Sequence, residues 1–350
     1  VFSADTYFQL SDSPIMYAFP DTTSVMIGNT RVMVSVYSEK NKTKAQQIMR
    51  DVEPTLIAQG KYLGGRLPVD NYLIMIYLMS RWSNSGGYGA LEHSYSTVFV
   101  LPDISGEFLS QSIVDITSHE FFHIITPLTI HSEEIENYDF INPRMSKHLW
   151  LYEGLTEYAA MHMQVMYNLI TPDDFLNVIA EKVEYSGDYT DNLPFTELSK
   201  GALDKYENQY NNVYEKGALI GMCLDLKLLN LSDGKKGVRE LMNELSQLYG
   251  IDRSFKDEEL FDTIAQLTYP GIREFFTRYV EGAESLPLKE CLGYAGVDFS
   301  KPGEVTSNDL GGISLDFDEK RGMVRVIETD QLNSFGKKMG FHKMDLFYSL

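Results

Sequence analysis

The sequence predicts an α+β protein: a strand-rich first lobe, a helical second lobe and a small β-rich segment at its end. Three observations carry this. Strand-like runs, one alternating and others apolar or β-branched, fall between residues 31 and 102, the period changes to about 3.6 from Leu109, and alternation appears after Gly303.

Taken in order, "RVMVSVYS" (Arg31 to Ser38) suits a strand with one buried face. Asn41 offers an N-cap for a helix over "TKAQQIMRDV", which Pro54 should end or kink. "NYLIMIYLM" reads as a fully buried strand, and the glycine-rich "SNSGGYGALEH" leads into "STVFVLP", whose β-branched and aromatic residues favour a further strand. Leu109 to Thr126 has helical spacing, stopped by Pro127. After Ser146 come six helical segments, from "KHLWLYEGLTEYAAMHMQVMYNLI" to "IREFFTRYV", separated by loops carrying Gly, Pro, Asp and Asn. The end, "GISLDFDEKRGMVRVIETD" and "MGFHKMDLFYSL", reads as strands without their expected return, so the chain is expected to stop inside a small β domain. No repeat or low-complexity tract is visible.

Composition narrows the function. With 43% hydrophobic and 12% aromatic residues over 350 positions, a sizeable core is expected. The longest apolar run, "YLIMIYLM", has eight residues, against the roughly 20 needed to cross a bilayer, so no membrane span is expected, and no signal peptide is visible. A net charge of -20 disfavours nucleic acid and anionic lipid as partners, since both are bound through clustered Lys and Arg. Cys223 and Cys291 are too few for a disulfide framework or a thiolate metal site and read as small buried residues, with a single bridge as the alternative. The compartment stays open, with periplasm, cell envelope and cytoplasm all compatible, and the oligomeric state is not legible.

The stretch "SHEFFHIITP" carries the chemistry. Residues i and i+4 share one helix face, so His119 and His123 can direct two imidazoles at one zinc ion, with Glu120 beside the water it would activate. The bland alternative is a buried helix face with two hydrogen-bonded histidines. A catalytic zinc needs a third protein ligand. Glu153 in "LWLYEGLTEY" fits, because a carboxylate among Trp150, Leu151, Tyr152 and Leu155 is costly unless a cation neutralises it. Glu157, one turn further, is a candidate to hydrogen-bond a ligand imidazole, with plain surface exposure as the alternative. His93, His131, His148, His162 and His342 lack paired spacing and read as structural or surface residues. The glycines of "SNSGGYGA" match no phosphate loop, since no Gly-Lys-Ser/Thr follows.

HExxH followed by W-L-x-E-G resembles the gluzincin aminopeptidases, which include aminopeptidase N and, more similar to this chain, the glycyl aminopeptidases of the sixty-first metallopeptidase family. "GALEH" resembles their substrate-edge strand, "VYEKG" the segment of their oxyanion tyrosine, and "YVEGAESLPLKECLGYAG" the end of their helical lobe, after which a PDZ domain follows. "MGFHKMDLFYSL" is similar to the middle of a PDZ domain, with Asp345 before a strand, and "QLSDSPIMYA" to the exit from an N-terminal β domain. Many relatives place Trp-Asn after the second histidine, whereas this chain has "IITPLTIHS", a departure that falls on the substrate pocket and leaves the ligands intact.

The resemblance implies a thermolysin-like gluzincin catalytic domain. Residues 1–24 would end an N-terminal β domain, 25–126 form the α/β lobe, 127–298 the helical lobe, and 299–350 a partial PDZ-like domain. Zn2+ would be held by His119, His123 and Glu153, with Glu120 as general base and Tyr214 as oxyanion donor. Glu92 would bind the substrate's free α-amine, alongside Gly89 and Ala90. The implied activity is removal of N-terminal residues, small ones such as Gly or Ala, from peptides with a free N-terminus. A gluzincin endopeptidase and a non-catalytic PDZ-type scaffold are the rival readings.

Overall fold

The computed structural model describes residue 4 and residues 6–40, 42–80, 88–103, 107–300, 310–318, 322–329 and 332–347. The chain divides into two units, Val1–Phe299 and Ser300–Leu350.

In the first unit a short helix, α1 (Tyr7–Ser11), precedes a hairpin of β1 (Asp21–Ile27) and β2 (Thr30–Ser38). Its turn needs a glycine: Gly28 has φ +59°, and a Cβ there would lie 2.6 Å from the Gly65 carbonyl oxygen. The Asn29 side chain accepts from the Leu67 N–H at 2.8 Å and donates to the Leu67 carbonyl at 3.1 Å, which fixes the hairpin against the next loop. Sequence reading began the first strand at Arg31. β1 escaped it because "DTTSVMI" is an outer strand, mostly exposed, with little apolar pattern.

Helix α2 (Ala45–Tyr62) crosses over to β3 (Asn71–Met79), which pairs parallel with both β2 and β5 (Ser96–Pro102). Two expectations change at α2. Asn41 lies outside the described residues; the helix starts after Lys44, and Asp21 of β1 accepts the Ala45 N–H at 3.0 Å in place of a local cap. Pro54 does not end the helix. An interior proline costs about 3 kcal/mol, but Ile48, Val52, Leu56 and Tyr62 are all buried along this helix, and such side chains contribute roughly 1.5–3 kcal/mol each.

β4 (Gly89–His93) runs antiparallel to β5 and ends the sheet, whose order is β1-β2-β3-β5-β4. Ile74, Ile76 and Leu78 of the central strand are wholly buried. Helix α3 (Glu107–Glu120) follows, then α4 (Glu133–Glu136), α5 (Thr156–Met166), α6 (Pro172–Ser186), α7 (Phe195–Lys200), α8 (Asn212–Leu231), α9 (Val238–Leu248), α10 (Leu260–Leu267), α11 (Ile272–Tyr279) and α12 (Leu288–Tyr294). Trp150, Phe261 and Phe276 pack face to face or tilted in the core, with ring centroids 4.4 to 5.9 Å apart. Among the described residues no helix is long and apolar enough to cross a membrane. Cys223 and Cys291 are both free and buried.

The second unit contains β6 (Ser314–Asp318), β7 (Met323–Glu328), α13 (Ser334–Met339) and β8 (Leu346–Phe347), the strands forming an antiparallel sheet in the order β6-β7-β8. Asp345 precedes β8, and its carboxylate accepts the His342 N–H at 2.8 Å. The three strands and one helix among this unit's described residues do not by themselves define a PDZ domain.

Candidate metal centre

His119 and Glu120 close α3, but the helix expected to reach Thr126 ends there and continues as a tight 3-10 turn, Phe121–Ile124, that carries His123. The carbonyls released by this change find other partners. Gln59 donates to the Ser118 carbonyl at 2.7 Å, and the Tyr72 hydroxyl to that of Glu120 at 3.2 Å. Phe121 and Phe122 are wholly buried and meet Tyr72 and Tyr62 edge to face, which anchors the turn on the sheet and on α2. The two histidine rings still lie close, with centroids 4.9 Å apart.

Glu153 sits in a wider π-helical turn, Trp150–Leu155, immediately before α5. The turn is held from below by contact of two backbones: a Cβ on Gly154 would come within 2.5 Å of Gly217, and one on Gly217 within 2.8 Å of Gly154. Gly217 belongs to α8, three residues after Tyr214, so one glycine-to-glycine contact sets both the carboxylate and the phenol. Trp150 fixes the other end, its indole N–H donating to His148 at 3.0 Å, while His148 meets the Asp257 carbonyl at 2.8 Å.

Both candidate ligand imidazoles have their Nδ1 engaged. His123 Nδ1 faces the Thr126 carbonyl at 2.7 Å and His119 Nδ1 the Glu157 carboxylate at 2.8 Å. With each Nδ1 engaged, each Nε2 faces the site and would give its lone pair to an ion bound there. Glu153 Oε2 lies 3.2 Å from His119 Nε2 and 3.9 Å from His123 Nε2. Zn–N and Zn–O bonds of about 2.0–2.2 Å in tetrahedral array place ligand atoms roughly 3.3–3.5 Å apart, so this donor set fits zinc with little adjustment. Glu153 is nearly buried; burial alone would raise its pKa, but the hydrogen bond from His119 and the charges of both histidines hold it below the usual range. Burial lowers that of His119, and its bonds to Glu153 and Glu157 more than reverse this.

Glu157 is itself held by Lys182 of α6 at 2.9 Å, and Lys182 also reaches Glu215 at 3.5 Å. Sequence reading missed Lys182. Its one signal was a lysine three residues after Ile179, on the helix face that turns inward.

Glu120 is buried, its Oε2 accepting from the Thr97 hydroxyl at 3.3 Å. Thr97 of β5 stands opposite Glu92 of β4. Ligand atoms of Glu92, Glu120 and His123 all lie within 4.8 Å of one another, as do those of His119, His123 and Glu153. Burial, with the nearby charges of Glu153 and Glu120, raises the pKa of Glu92 despite the opposing charge of His123. Gly89 (φ +141°) and Ala90 are half-buried on the same edge strand. The Tyr214 ring lies 5.7 Å from that of His119, with its hydroxyl 3.5 Å from that of Tyr210. Burial and the charge of Glu153 push the Tyr214 phenol far up, so it stays a donor. Of the other histidines, His93 pairs with Asp12 at 2.9 Å, and His162 lies 3.2 Å from the Tyr62 hydroxyl.

Sheet, motif turn and third carboxylate together bring three potential ligands to one point, and the chain is similar to metallopeptidases in sequence and fold. Residues 112–220, which contain the motif, Glu153 and Tyr214, match the model of the M61 glycyl aminopeptidase family. The crystal structure of an aminopeptidase N family protein from Idiomarina loihiensis superposes with a TM-score of 0.70 at 21% identity, over 88% of this chain and 56% of that one. An M1 zinc metallopeptidase from Deinococcus radiodurans gives 0.52 at 16% identity, over 77% of this chain and 53% of that one. A point mutant of that metallopeptidase, bound to a Tyr-Ser-Ala substrate, gives 0.51 at 15% with the same coverage. The likeness is one of fold, and the chain spans about half the length of these proteins. No curated protein matches the sequence significantly.

Proposed function

We propose that this chain carries the catalytic region of a zinc-dependent aminopeptidase. The observation that carries the reading is the convergence of His119 Nε2, His123 Nε2 and Glu153 Oε2, with each Nδ1 already committed elsewhere. When bound there, zinc would supply Lewis acidity toward a carbonyl and toward water. Glu120 takes the proton of the attacking water and returns it to the departing amine. Tyr214, kept protonated, donates to the oxyanion. Glu92, a carboxylate crowded by Glu120 and Glu153, pairs with the substrate's ammonium, and this limits cleavage to the first peptide bond. A preference for Gly or Ala is what family likeness implies and is no part of this reading, because the residue selected depends on the pocket walls. The second unit we read as part of a PDZ-like fold, on the placement of Asp345 before β8.

Comparing a free-amine aminoacyl substrate with its acetylated twin tests the exopeptidase reading: the acetylated form should be at least about 100-fold slower, and equal cleavage of the two removes the role given to Glu92. Glu120→Gln should lower kcat by about 100-fold or more while zinc content is unchanged. Unchanged turnover excludes Glu120 as the base.

A further inference from the structure

A cavity of about 540 Å3 opens beside the site, and its wall includes both Glu92 and His123. Glu120, Glu153, His119 and Tyr214 are not part of that wall. A first residue whose amine pairs with Glu92 and whose carbonyl faces His123 therefore sits on the cavity side, and the leaving group departs on the other. The volume lies in the range of pockets that enclose a drug-sized ligand, roughly 300–1,000 Å3, far more than a hydrogen or a methyl group can fill.

The wall is also one-sided in charge. It holds four carboxylates, Asp12, Glu92, Glu136 and Asp252, and no Lys or Arg. Asp12 is engaged by His93 at 2.9 Å and by the Ser94 hydroxyl at 2.6 Å. His131, the remaining histidine of the wall, is pulled down by burial against the opposing charges of Glu136 and Asp252, and so stays neutral near pH 7. Glu136 accepts a hydrogen bond from Ser254, and among the described residues neither Glu136 nor Asp252 has an ion-pair partner. Beside them Phe8, Ile135 and Ile251 offer apolar surface. Apolar wall for a stem with carboxylates for its head is what a long cationic side chain needs, since such chains bury their methylenes while keeping the charge near a partner.

We infer that this cavity receives the side chain of the substrate's first residue and selects arginine or lysine over glycine and alanine. The inference rests on the aminopeptidase reading and on Glu92 as the amine anchor.

The test is a panel of Gly, Ala, Leu, Lys and Arg p-nitroanilides on the zinc-loaded full chain, with the Glu136→Gln/Asp252→Asn double variant alongside. Arg and Lys should exceed Gly and Ala in kcat/KM by at least about tenfold, and the double variant should lower the Arg-to-Leu ratio by about tenfold. Gly or Ala as the fastest substrate, or an Arg-to-Leu ratio that the variant leaves unchanged, overturns the inference. Acetyl-Arg p-nitroanilide, run in parallel, tests the exopeptidase reading by itself. Should no substrate turn over, calorimetric binding of argininamide and glycinamide decides: argininamide at least about tenfold tighter, and weakened by the double variant, sustains the pocket, and equal binding removes it.

Discussion

Tyr214 and His148 show how single side chains are tuned by their surroundings. Tyr214, its phenol raised by burial and by Glu153, is a permanent donor at the edge of the metal site. Tyr214→Phe removes only that donor, so kcat should fall by about 100 to 1000-fold with KM little changed, as steady-state kinetics will read. His148 accepts from Trp150 at the head of the turn that carries Glu153. Burial outweighs the bond to Asp257 and lowers its pKa to about 4, against about 6.5 in an unfolded chain. Between those values the unfolded chain binds the extra proton, so stability is fully present above pH 6.5 and is lost as pH falls toward 4, by about 3 kcal/mol. The difference in unfolding free energy between wild type and His148→Gln should therefore shrink by about 3 kcal/mol from pH 7 to pH 4; a constant difference rejects the assignment. The candidate metal ligands were legible at this scale because HExxH and a carboxylate in an apolar run are local patterns. Lys182 was not, since its partners Glu157 and Glu215 come from two other helices.

Between elements, the contact of Gly154 with Gly217 does most to shape the site. It lets the π-helical turn and α8 touch through their backbones, and Gly221, one turn further, continues the contact: a Cβ there would lie 3.1 Å from Tyr158 Cβ. Gly217→Ala should cost about 1–3 kcal/mol in unfolding free energy by overpacking and should lower activity as well, since Tyr214 and Glu153 move apart. Full activity with that stability loss would separate the contact from the chemistry. None of this was visible in sequence, where "EGL" and "EKGA" are two ordinary glycine-bearing helix segments. The early end of α3 was hidden for the same reason: helical spacing runs on to Thr126, but Gln59 and Tyr72 from other elements accommodate the freed carbonyls. Pro54 errs in the opposite direction, a local breaker overruled by burial of the helix around it.

For the molecule as a whole, the order of strands and helices was largely readable because the core elements carry strong periodicity, as in β3, while β1 and the short helices carry little. What the local patterns named but could not place is how the end of α3 and the turn before α5, 30 residues apart in sequence (Glu153 against His123), come within reach of one ion. Zinc at about 100-fold above its Kd adds about 2.7 kcal/mol to the folded state, so chelation should lower Tm by about 4 °C, and zinc should restore it. A Tm indifferent to chelator and zinc would mean that no ion joins these elements.

The most direct measurement is a crystallographic anomalous map at the zinc edge. One peak should lie about 2.0–2.2 Å from His119 Nε2, His123 Nε2 and a Glu153 carboxylate oxygen. A map with no peak there, or with its peak on Glu92, Glu120 and His123, contradicts the account.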